Sequence, residues 1–145
     1  MKISAKARYA LASAIEIARL CDDEYVSAIS LSKSLGISKI FLEQVMASLK
    51  KAEIVISAKG AGGGYRLART PQGITAHDIL VATEGGLFEK TDSTVDAPGI
   101  ESAMREIVFN KLDVAVNETL KNITLQGLLD AAISSGEEQS FMINL

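Results

Sequence analysis

Residues Ser38–Leu67 read SKIFLEQVMASLKKAEIVISAKGAGGGYRL, and this stretch decides the fold. Leu42, Val45, Met46 and Leu49 recur at helical spacing and make one apolar face of a helix over about Lys39 to Lys51. Ser38 stands before it, where its hydroxyl can accept from an otherwise unpaired backbone N–H. The other face carries Lys39, Ile40, Glu43, Gln44, Ala47, Ser48 and Lys51, side chains that suit insertion into a groove. Lys50 and Lys51 close the last turn, where cations complement the helix dipole. Ile54, Val55 and Ile56 then form a β-branched strand. Lys59-Gly60-Ala61-Gly62-Gly63-Gly64 turns the chain, and Tyr65, Arg66 and Leu67 return as a second strand. A helix followed by a basic, glycine-rich hairpin is the geometry of a winged helix-turn-helix, whose helix enters the major groove while the hairpin tip reaches backbone or minor groove. A nucleotide-binding glycine loop needs strand, glycines, then helix; here a strand follows the glycines.

The residues upstream complete the pattern. Ser27 caps a short helix over Ala28 to Leu35 with Ala28, Leu31 and Leu35 inward, and Gly36 ends it where a left-handed residue is wanted. Ile37-Ser38 leads directly into the next helix, so helix, glycine turn and capped helix follow one another. Val26 is placed to pair with the hairpin as an edge strand. A first helix spans about Ala5 to Leu20, with Leu11, Ala14, Ile15 and Ala18 on one side. Lys2, Lys6 and Arg8 cluster at its start. Two readings of them stand side by side, a phosphate contact and a solvated basic end.

Downstream, Thr75 caps a helix in which Asp78 takes the place of Glu in a capping box, Ile79 and Leu80 face the core, and Gly85-Gly86 ends it. His77 reads as a surface residue near that helix start. Residues 86–99 are rich in Gly, Asp, Ser and Thr and read as an exposed loop. A long helix over about Ile100 to Asn122 presents Ile100, Met104, Ile107, Val108, Leu112, Ala115 and Leu120. At 1.5 Å per residue it spans roughly 33 Å, longer than so small a domain needs. A twin helix from a second subunit accounts for its broad apolar face; packing against its own domain is the other reading. Thr124 caps a short last helix with Leu125, Leu128, Leu129 and Ile133. Ser134 to Leu145 reads as a loose tail, although Phe141, Met142, Ile143 and Leu145 could dock on a neighbour.

Composition narrows the function classes. With 48% hydrophobic and 5% aromatic residues and no Trp, the core is aliphatic. No apolar run is long enough to span a membrane, which makes a cytoplasmic location the expectation. One cysteine, Cys21, and one histidine, His77, exclude an intramolecular disulfide and a Cys- or His-rich metal site within one chain. No nucleophile motif accompanies His77, so the chain is not expected to be an enzyme. Cys21 reads either as a small apolar residue at a helix end or as a redox-sensing thiol. The net charge of −3 conceals a division: residues 1–70 hold 11 Lys and Arg against 6 Asp and Glu, and residues 71–145 hold 4 against 12. A basic half beside an acidic half separates a nucleic-acid face from the rest.

Five stretches together carry a family resemblance: MKISAKARYAL at the start, LGIS-x-x-FLEQV across the turn and helix, KGAGGGYRLAR in the wing, ITAHDIL after it and ITLQGLL near the end. The chain resembles the small bacterial winged-helix regulators related to IscR, NsrR and CymR, the Rrf-two type, over almost its whole length. The resemblance implies a mainly α fold with a small β-hairpin, arranged as a winged helix-turn-helix plus a long dimerisation helix. It implies residues 1–84 as the DNA-binding domain, 85–99 as a loop, 100–134 as the dimerisation helix and short C-terminal helix, and 135–145 as a tail. It implies a homodimer acting on a palindromic operator, most often as a repressor. In members resembling IscR, the Glu of the LEQ segment and a basic wing residue contact bases, which carries over to Glu43 and Lys59. A carboxylate can accept from cytosine N4, and a cation suits a narrow minor groove. Around these two, Ser38, Lys39, Gln44, Gly60, Gly62, Gly63, Tyr65 and Arg66 complete the expected DNA-binding set, with Arg66 near phosphate. Ile100, Met104, Ile107, Val108, Leu112 and Ala115 form the expected dimer seam.

Cluster-binding members place three cysteines in the loop before the long helix, and here EGGLFEKTDSTVDAPG has none. An iron–sulfur cluster is therefore not expected, and no other cofactor is. Glu84, Glu89, Asp92 and Asp96 offer oxygen donors but read as solvated. The signal is then left to an effector protein, a small ligand near the dimer helices, or oxidation of Cys21. The competing function is a protein-interaction module that regulates or senses a metabolic enzyme through the long helix and tail.

Overall fold

The computed structural model describes residues 1–20 and 23–143; the alternatives for Cys21 and the docking of Phe141, Met142, Ile143 and Leu145 lie outside what it describes. The first helix, α1 (Ala5–Leu20), buries Ala7, Ala10, Ser13, Ala14 and Ile17. This mostly small-residue face lets the helices packed against it come close. Its N-terminus is capped by Ser4, whose Oγ accepts from the Ala7 N–H at 3.1 Å, while the Ser4 N–H donates to Glu84 Oε2 at 2.7 Å. Residues 1–4 are thus tied down without forming a strand.

The next two helices are α2 (Ala28–Leu35) and α3 (Lys39–Lys51). Ser27 Oγ accepts from the Ser30 N–H and Ser38 Oγ from the Phe41 N–H, at 3.1 and 3.2 Å. Gly36 adopts φ 65° and ψ 33° at the end of α2, a conformation that costs a residue with a Cβ but not glycine. The Ser32 hydroxyl donates to the Ile37 carbonyl and braces the turn. Leu42, Val45, Met46 and Leu49 are the buried face of α3.

The hairpin consists of β1 (Val55–Ala58) and β2 (Gly64–Leu67), antiparallel, with Val55 opposite Leu67, Ile56 opposite Arg66, Ser57 opposite Tyr65 and Ala58 opposite Gly64. Ile54, expected in the strand, is instead buried just ahead of it. Val26 adds a third, single-residue rung: its N–H donates to the Tyr65 carbonyl at 2.7 Å and its carbonyl accepts from the Tyr65 N–H at 2.8 Å. Arg69 then donates to the Gly73 carbonyl at 2.8 Å and lies 3.7 Å from the Asp78 carboxylate, which fixes the connection to α4 (Ala76–Thr83). The Thr75–Asp78 capping box is complete.

Three differences from the sequence reading concern the second half. The long helix begins at Pro98 and is not uniform: α5 (Pro98–Met104) runs through a π-helical segment, Arg105–Phe109, into α6 (Asn110–Lys121). The last helix, α7 (Leu125–Ile143), continues well past Ser134. Gly136 weakens a helix interior without stopping it, and no proline follows. His77 is a buttress and not a free surface residue. Its Nε2 lies 2.7 Å from Asn117 Oδ1 on α6, and its ring meets Phe88 edge-on at 5.3 Å. Phe88 belongs to a short 3-10 turn, Gly86–Phe88, inside the stretch expected to be loop.

The core draws on both halves of the chain. Ile17, Leu31, Leu42, Met46, Leu49, Ile54, Ile74, Ile79 and Leu125 are wholly buried and share one cluster. Leu125 comes from α7, whose start is held against α4 by the Ala76 N–H to Ile123 carbonyl and Leu125 N–H to Ile74 carbonyl bonds, both 2.8 Å. Among the described residues no helix is long and apolar enough to cross a membrane.

Candidate nucleic-acid interface

The buried quartet of α3 turns Lys39, Ile40, Glu43, Gln44 and Ala47 outward, and all five are exposed. Between this helix, the start of α2 and the hairpin lies an open groove of about 540 Å³. Lys39, Glu43, Lys59, Gly60, Gly63 and Tyr65 line it, so the structure gathers six of the expected DNA-contacting residues around one space. Gln44 lies beside Glu43 on the same exposed face, and Gly62 sits at the wing tip with φ 78°. The Ser38 hydroxyl accepts from Phe41 as the helix cap and keeps its own proton free to donate.

Tyr65 links the two halves of the groove. Burial, and then the nearby Glu43 carboxylate, hold its phenol above the ordinary range. Tyr65 therefore stays a neutral O–H donor beside an acceptor-only carboxylate, a combination that reads polar edges rather than bare charge.

Wing geometry depends on Gly64. It has φ 140°, and a Cβ there would stand 2.1 Å from the Val26 carbonyl oxygen, far inside contact distance. Only a residue without a side chain allows the hairpin to close against Val26.

Arg66 is not part of this groove. Side chains alternate along a strand, so Ser57 and Tyr65 face one way while Ile56 and Arg66 face the other. The Arg66 guanidinium stacks over the Tyr25 ring at 5.0 Å and lines a separate depression with Asp23 and Arg69. Lys2 and Arg8 are exposed and Lys6 is half-buried. Tyr9 and Phe41 meet edge-on at 5.3 Å, which joins α1 to α3, while Met1 and Ile3, on either side of Lys2, lie beside Leu80 of α4 and Ala115 of α6. Ile29 and Ser57 also line the groove and were missed in the sequence. Counting the hairpin register back from Tyr65 would have found Ser57; Ile29, two residues past a cap, carries no local signal.

Comparison with known proteins agrees with this geometry. Residues 3–131 match the family described as "Rrf2: Iron-dependent Transcriptional regulator". The HTH-type transcriptional regulator CymR of Bacillus subtilis is 34% identical over 142 residues, covering 98% of each chain. The solved structure of CymR, described there as the global cysteine regulator of B. subtilis, superposes with a TM-score of 0.76 over 90% of this chain and 98% of that one, at 36% identity. T. potens IscR superposes with a TM-score of 0.72 over 91% and 88%, at 33% identity. The chain belongs to the Rrf2 family, and it is a transcriptional regulator with a winged-helix DNA-binding fold, not an enzyme.

Proposed function

We propose that the protein is a homodimeric repressor that binds a palindromic operator through α3 and the wing, without an iron–sulfur cluster. The observation that carries this reading is the groove in which Lys39, Glu43, Lys59 and Tyr65 face one another. In it α3 enters the major groove. Glu43 accepts from a cytosine amino group, and Gln44 hydrogen-bonds a neighbouring base. Lys59 at the wing reaches the minor groove, and Lys2, Lys6 and Arg8 approach phosphate. Arg66 acts on the wing by holding Tyr25 rather than by touching DNA.

The dimer is supported by exposure on the long helix. Ile100 is 59%, Ile107 61% and Leu112 58% exposed, with Val108 and Ala115 also uncovered and Met104 half-buried. Single exposed apolar residues are ordinary, but a contiguous stripe of them marks an interface. A two-fold pairing of this stripe with itself would present two reading heads to two half-sites.

The family description speaks of iron, but the donor set of this chain does not fit a cluster. Clusters are held by thiolates, and the sequence has one cysteine. His77 is engaged by Asn117 and Phe88, and among the described residues no three His, Cys, Asp or Glu side chains gather. The regulatory signal is then an effector protein, a small ligand near the dimer helices, or oxidation of Cys21.

The test is selection of bound duplexes from fragmented host DNA with metal-free protein at about 0.15 M salt, where non-specific phosphate binding is weak. Enrichment of one palindrome is expected; enrichment of no sequence overturns the reading. On that operator, Glu43→Ala should weaken binding by about 1–3 kcal/mol and relax preference at one base pair in each half-site. Unchanged affinity and unchanged preference in a titration against single-base variants would show that α3 docks some other way.

A further inference from the structure

We infer that Ile40 reads the methyl group of a thymine, one to two base pairs from the pair contacted by Glu43. The inference rests on the assignment of α3 as the reading helix and deepens it. Ile40 is 72% exposed, although Phe41 and Leu42 beside it turn inward. It stands with Glu43, Gln44 and Ala47 in an i, i+3, i+4, i+7 row, all exposed. Among the described residues none buries this side chain. It is also remote in sequence from the apolar stripe on α5 and α6. Helix formation gives no reason for it, because a β-branched residue is a weaker helix former than Ala, Lys or Glu at a solvent-facing position.

The chemistry of the major groove supplies the reason. Among the base edges displayed there, thymine offers an aliphatic group, its C5-methyl, and every other recognition point is a donor or acceptor. The first turn of a recognition helix is the part that meets base edges, and Ile40 is the second residue of α3. Three to four residues along a helix advance about 4.5–6 Å, against about 3.4 Å per base step. That offset places the thymine beside, and not at, the pair read by Glu43. The row would then combine a polar readout at Glu43 and Gln44 with an apolar one at Ile40.

Replacing thymine by deoxyuridine removes that methyl and nothing else. Each operator thymine should be replaced in turn, and affinity measured for the full-length protein and for Ile40→Ala. Alanine keeps the helix, and circular dichroism would confirm folding. One thymine in each half-site, adjacent to the pair lost in Glu43→Ala, should cost the native protein about fourfold per replacement, the effect of one methyl-sized apolar contact. Ile40→Ala should bind the thymine operator correspondingly less well and should not distinguish thymine from uracil there. Native binding that ignores every replacement overturns the inference while leaving the DNA-reading assignment intact. An Ile40→Ala variant that keeps the full preference for thymine does the same. Failure of the native protein to bind any operator overturns both.

Discussion

Gly64→Ala is expected to destabilise the fold by about 2–6 kcal/mol and to abolish operator binding. The estimate combines two losses. The new Cβ would stand 2.1 Å from the Val26 carbonyl oxygen and 2.6 Å from its carbon, both backbone atoms that cannot swing aside. The Val26–Tyr65 rung must therefore open, removing two backbone hydrogen bonds worth about 0.5–1.5 kcal/mol each. A side chain forced to φ 140° adds strain of about 1–3 kcal/mol. Tyr65 would move with the strand, and the wing would lose its position against α3. Gly60→Ala is the control, since Gly60 shares a positive φ but a Cβ there meets nothing within 4 Å; it should show the strain without losing the rung. Denaturant unfolding and operator affinity measured on both variants decide the matter. A Gly64→Ala protein as stable as the native one, and binding as tightly, would show that the wing does not need this closure.

The second large effect concerns the long helix. Ile107→Glu with Leu112→Glu should give a folded monomer whose affinity for the palindrome falls by about 10²–10⁴, the range lost when two linked binding events become independent. Folding should survive because both side chains are about three-fifths exposed in the protomer, and glutamate is a good helix former. Sedimentation reports the oligomeric state. A duplex carrying one half-site supplies the internal control, since native and doubly substituted proteins should bind it alike. A doubly substituted protein that remains dimeric would mean that another surface joins the subunits.

Features specified by neighbours in sequence were readable from the sequence alone. Ser27, Gly36 and Ser38 each act within four residues of themselves, and the buried quartet of α3 follows from a single period, so helix, turn and helix were all legible. The Thr75–Asp78 box was legible for the same reason. What escaped depends on partners far along the chain or on a change of period. His77 is a buttress only because Asn117 comes alongside it, forty residues later. Arg66 is expected near phosphate, but it adjoins Tyr65, and adjacency along a strand means opposite faces, so its stacking on Tyr25 depends on how the strand sits against residues far upstream. The π segment at Arg105–Phe109 interrupts the repeat on which helix recognition depends, and α7 outlasts its expected end because Gly136 is a weak signal when no cap follows it. Ser4 has Ala7 three residues on, where a capping box would carry Glu or Gln, so its cap signal is weak.

The burial of Leu125 among Ile17, Ile74 and Ile79 also constrains how the protein comes into being. The first helix and the last one pack together, so the hydrophobic centre beneath the reading head is closed by residues translated near the end. A growing chain can form its helix-turn-helix locally, but it cannot complete that centre until α7 has left the ribosome, and contacts so distant in sequence form slowly.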